Sequence, residues 1–80
     1  MDFNSVLEKV IALAREQFEE KSAEITGSTT ASEITAWNSL SHVMFIASIE
    51  KTFGFRFDLL RMIEMKSIGD IARATFEMLK

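Results

Sequence analysis

The chain contains no proline, and no other feature of its 80 residues restricts the fold so strongly. Proline ends helices outright, because it lacks a backbone N–H and its ring clashes with the preceding turn. The only other strong punctuation is Gly27, Gly54 and Gly69, so apolar spacings of three and four run on almost unbroken. The expected fold is all-α: one domain over residues 1–80, a small four-helix bundle of three main helices and one short helix, with a long loop after the first helix.

Phe3, Leu7, Val10, Ala14 and Phe18 mark a first helix over roughly residues 3 to 20, with Ser5 and Glu8 spaced as a capping box. From Lys21 to Trp37 the period is lost, and Ser and Thr hydroxyls accumulate that compete for backbone hydrogen bonds. This is the long loop, and Ile25, Ile34 and Trp37 are expected to pin it to the core. A second helix runs from about Ser39 to Phe53, begun by Asn38 as N-cap and stopped by Gly54. Phe55-Arg56-Phe57 reads as a short extended connection. Asp58 then caps a short third helix through about Met65. Ser67 with Asp70 caps a fourth, whose stripe is Ile68, Ile71, Ala72, Thr75 and Leu79.

Composition removes most catalytic classes. Without Cys there is no disulfide framework, thiolate nucleophile or Cys-ligated zinc, and a single His cannot build a multi-His metal site. A net charge of -3, with Lys and Arg scattered singly, gives no footprint for nucleic acid or anionic lipid. The longest apolar run, Val43 to Ala47, is too short to span a bilayer, and the opening residues lack the pattern of a secretory leader. The expectation is a cytoplasmic monomer without a metal.

The second helix is apolar on two sides. At 100° per residue, Phe45, Ile46, Ile49 and Phe53 share one face, while Leu40, Val43, Met44 and Ala47 share the opposite one. So small a bundle cannot bury both, and the second face is expected to be exposed and reserved for a partner. Ser39 stands at the amino end of this helix, where free N–H groups and the helix dipole favour an anion such as a phosphoester. His42 lies three residues on and invites a reading as general base for Ser39. No acidic residue is spaced to orient its ring, so it reads instead as a histidine exposed or at the core edge. Met44, Met62, Met65 and Met78 read as core filler, three of them able to rim a flexible apolar pocket that tolerates an acyl chain.

The stretch Trp37-Asn38-Ser39-Leu40-Ser41-His42-Val43, followed by Ile49-Glu50-Lys51-Thr52-Phe53-Gly54-Phe55-Arg56-Phe57 and Ser67-Ile68-Gly69-Asp70-Ile71, resembles the acyl carrier protein and peptidyl carrier protein family. The motif covers about residues 34 to 72, and the helix layout covers the whole chain. The resemblance implies that Ser39, flanked by Asn38 and Leu40, is esterified with 4'-phosphopantetheine by a phosphopantetheinyl transferase using coenzyme A and magnesium. The thiol of that arm would then carry acyl or aminoacyl groups as thioesters between loading enzymes and downstream transfer enzymes, the chain itself being no enzyme. A chain without Cys needs such an added thiol to carry a thioester. Leu40, Val43, Met44 and Ala47 match the family's docking side, with Met65 of the third helix at the same rim. Phe45, Ile46, Ile49 and Phe53 match its core side.

Two departures stand out. Asn38 replaces the family's usual Asp, which keeps a cap but removes a charge. Residues 25–80 hold six acidic and six basic side chains, so the docking helix is not acidic, with Glu50 its one acid beside Lys51. Apolar docking and a specialised biosynthetic pathway are the expectation. The second reading of the same residues is an unmodified, carrier-like adaptor that binds a partner through the apolar face of its second helix.

Overall fold

A computed structural model describes residues 2–18, 25–34 and 36–79 and bears out the all-α expectation. The described residues form helices α1 (Phe3–Phe18), α2 (Ser39–Phe53), α3 (Leu59–Glu64) and α4 (Ile68–Met78), with a single 3₁₀ turn at Ala31–Glu33. None of these helices is long and apolar enough to cross a membrane. The last two residues of the expected first helix, 19 and 20, and the first part of the long loop, 21–24, lie outside the described residues.

Helix α1 packs on both α4 and α2. Its buried line is Val6, Val10, Ala14 and Phe18, so the expected stripe is rotated: Val6 is enclosed, while Phe3 and Leu7 pack at its edge. The cap is also displaced. Asp2 Oδ1 accepts the Ser5 N–H at 2.8 Å, which makes Asp2 the capping residue and places Ser5 inside the first turn. That backbone N–H, helped by the Ser5 hydroxyl, holds the exposed Asp2 carboxyl below its usual range.

Helix α2 begins and ends as its sequence requires. Asn38 Oδ1 accepts the Ser41 N–H at 3.0 Å, and Gly54 closes the helix with a left-handed φ of 80°, where a side chain would be strained. Phe45, Ile46 and Ile49 are fully buried, each worth about 1.5–3 kcal/mol as area removed from water, and Phe53 is half-buried. In α4 the core line is Ile68, Ile71, Ala72, Ala74 and Thr75. Leu79 leaves the expected stripe because the helix ends at Met78 and Leu79 caps it from the surface. Buried Thr75 disposes of its hydroxyl by donating to the Ile71 carbonyl at 2.7 Å.

The long loop is held in two ways. Ile25, Ile34 and Trp37 are buried as expected, and Trp37 stacks on Phe18 with ring centroids 5.2 Å apart while meeting Phe45 edge-on at 5.9 Å. Its backbone is also stitched to the start of α4. Gly69 N–H donates to the Gly27 carbonyl (2.7 Å), Ile68 N–H to Thr29 (2.9 Å), and Ala31 N–H to Lys66 (3.1 Å). These bonds satisfy amides that a helix start otherwise leaves without partners. Anchoring Trp37 in an aromatic cluster fixes the entry to α2, and with it the position of the next two residues, Asn38 and Ser39.

Candidate functional site

Two serines compete in the motif at the start of α2, and hydrogen bonding separates them. Ser41 Oγ donates to the Ala36 carbonyl at 2.6 Å and accepts the Asn38 N–H at 2.8 Å, completing a reciprocal capping box. Its hydroxyl is committed to the helix start. Ser39, the first residue of α2, is exposed, and its hydroxyl makes no hydrogen bond among the described residues. The cap serves the Ser41 and His42 amides, which leaves the Ser39 and Leu40 N–H groups pointing outward at the positive end of the helix. An exposed hydroxyl beside two unused donors suits a phosphodiester, whose anionic oxygens need N–H partners.

His42 is half-buried and fully employed. The Trp37 indole Nε1–H donates to His42 Nδ1 at 2.9 Å. Indole nitrogen can only donate, so Nδ1 carries the lone pair and the ring proton sits on Nε2, which donates to the Met62 carbonyl at 2.9 Å. The two rings are inclined by only 18° with centroids 5.9 Å apart, the near-coplanar arrangement that suits an N–H···N bond in the ring planes. With both nitrogens occupied, the ring has no lone pair left for the Ser39 hydroxyl, and the general-base reading falls on geometry. Trp37, His42 and Met62 meet without any sequence pattern that joins them; the one usable signal is that a buried Trp needs an acceptor for its N–H.

Beside Ser39 lies a cavity of about 570 Å³ between α2, α3 and the incoming loop. Trp37, Val43, Leu59, Met62, Ile63 and Met65 give it largely apolar walls, and Asn38, Ser39 and His42 stand on its α2 side. Of the four methionines expected as core filler, Met62 and Met65 line it, whereas Met44 faces outward from α2 and Met78 is exposed near the end of α4.

The outer face of α2 is open: Leu40 is 72% exposed, Met44 52% and Val43 51%, and Ala47 is exposed with them. Met65 corrects the expectation that placed it on the same rim. Helix α3 ends at Glu64, and Met65 follows in an extended conformation that buries its side chain to 5% exposure. The apolar residues that α3 does expose are Leu59, Leu60 and Ile63. Glu50, the one acid on α2, is also turned to structure, since its Oε2 accepts the Phe57 N–H at 2.6 Å.

No protein-family profile matches the chain, and no curated protein does either. Among solved structures, the chain is similar to the solution NMR structure of a holo acyl carrier protein from Geobacter metallireducens. The match has a TM-score of 0.83 and 32% identity over 92% of this chain and 85% of that one. At that identity over that share of the chain, likeness of fold goes with likeness of family. By this likeness and by the order of its motifs, the chain belongs to the acyl carrier protein family.

Proposed function

We propose that the chain is a non-catalytic carrier that holds acyl or aminoacyl intermediates as thioesters on a 4'-phosphopantetheine arm at Ser39 and presents them to partner enzymes of a specialised biosynthetic pathway. The observation that carries this reading is the unbonded, exposed Ser39 hydroxyl, set between two open backbone N–H groups and an apolar cavity. Ser39 Oγ would bond to the arm's phosphate, and the Ser39 and Leu40 amides would face its oxygens. The arm supplies the thiol that a chain without Cys lacks. The cavity offers an apolar cargo shelter from water, and the open α2 face offers partners a surface beside the attachment point.

The test is intact mass after incubation with coenzyme A, magnesium and a promiscuous phosphopantetheinyl transferase. The wild-type chain gains one phosphopantetheinyl group, whereas Ser39→Ala stays folded and gains none. No gain with any of several transferases would hand the molecule to the adaptor reading. In the same assay, Asn38→Asp is expected to react faster. The Asn38 side chain serves the cap through its oxygen, which Asp retains, while the carboxylate adds an anion for the transferase and its metal. The melting temperature should move little, since an anion at a helix start is worth about 0.3–1 kcal/mol. A rate equal to or below wild type would show that the partner transferase prefers the amide.

A further inference from the structure

We propose that His42 is a positioning residue that ties together the two walls of the cavity beside Ser39 and so sets how far α3 opens from α2. Its leverage comes from the weakness of α3. That helix has six residues, none of them fully buried, and a single isolated turn or two of helix does not hold in water. Asp58 caps it locally, and Arg61 pairs with Glu77 of α4 at the surface, a contact that solvent screens. The carbonyl of Met62 has no partner further along the chain in helical register, because the Lys66 N–H that would take it turns to Asp70 Oδ2 at 3.3 Å. The His42 Nε2–H fills that place from another helix.

The other end of the tie is rigid. Trp37 is 4% exposed and wedged against Phe18 and Phe45, so its indole N–H holds Nδ1 from a fixed point in the core. The line Trp37, His42, Met62 thus runs from the core, across the α2 side of the cavity, to the loosest helix, and all three residues line that cavity. Breaking the tie releases one wall while leaving the packing of α1 on α2 and α4 intact. Access to the space beside Ser39 is then governed by one imidazole in one tautomer. The tie belongs to the unmodified chain, so it stands or falls separately from attachment of the arm, which mass reads independently.

Amide hydrogen exchange on the full unmodified chain tests it. In His42→Phe, which keeps a ring against Trp37 but neither hydrogen bond, the amides of α3 and the Trp37 indole N–H should exchange about tenfold faster, while those of α1 and α4 change little. His42→Gln should restore most of the α3 protection, since its amide can accept from Trp37 and donate to Met62. Unchanged α3 exchange in His42→Phe overturns the proposal, as does an equal loss in every helix, or a Gln variant no better than Phe. Should His42→Phe fail to fold, the imidazole nitrogens of the wild-type chain decide: a proton on Nε2 with Nδ1 bare supports the tie, and the opposite tautomer refutes it.

Discussion

Gly69→Ala should destabilise the protein by about 1–3 kcal/mol, as forced overpacking usually does. Helix propensity alone gives the opposite sign, because Ala in a helix interior is favoured over Gly by roughly 1 kcal/mol. Gly69 is the second residue of α4, and its N–H donates to the Gly27 carbonyl at 2.7 Å. A Cβ at position 69 would lie 2.6 Å from that same oxygen, far inside contact distance, and the obstacle is backbone that cannot swing aside. Relief requires the loop to lift, which loosens the neighbouring Ile68-to-Thr29 bond as well. Urea or thermal unfolding of the variant reads the sign directly. Stability equal to or above wild type would mean that the close approach of loop and helix is not held in solution.

That contact marks where sequence reading ends. The bounds of α2 were legible because each end carries its own chemistry: Asn38 as a cap at the start, and at the finish a glycine that takes the left-handed conformation; the reciprocal bond from Ser41 was not foreseen. Its two faces were legible because a period near 3.6 over fifteen residues separates Phe45, Ile46 and Ile49 from Leu40, Val43 and Met44, and burial follows that division. At α1 two residues could cap, and Asp2 prevails over Ser5 because its carboxylate reaches the Ser5 amide from one turn earlier. Met65 was misplaced because the third helix was drawn one residue too far and the family's rim position was laid on it, whereas the chain has already turned extended there and buries the side chain. The stitches of the loop to α4 and the Trp37–His42–Met62 tie have no local signature. They join residues up to tens of positions apart, and only the packed fold brings them within hydrogen-bond distance. The exposed start of α2 at Ser39 was therefore readable as a position, whereas the contacts that surround it were not.

The exposed apolar face of α2, proposed to dock partners, offers the other large effect. Met44→Glu or Ala47→Glu should leave the free protein within about 0.5 kcal/mol of wild type, since both positions are exposed and neither belongs to the buried core. Binding to an enzyme that accepts cargo from the carrier should fall by several kcal/mol, on the order of 3, because a carboxylate would be stripped of water at an apolar interface with nothing built to receive it. A face whose acid, Glu50, is already engaged by the Phe57 amide has little charge with which to steer a partner, so wild-type affinity should depend only weakly on salt. Titration calorimetry with the partner enzyme at low and high ionic strength, beside thermal melts of each variant, separates the possibilities. A large drop in melting temperature would return this face to the core. A stable variant that binds as well as wild type would shift docking to Leu59, Leu60 and Ile63, the apolar residues that α3 exposes, the first and last of which line the cavity beside Ser39. Strong weakening by salt would show that the charged side chains around the face, with Lys51 and Lys66 among them, do the recognising that its apolar centre is here expected to do.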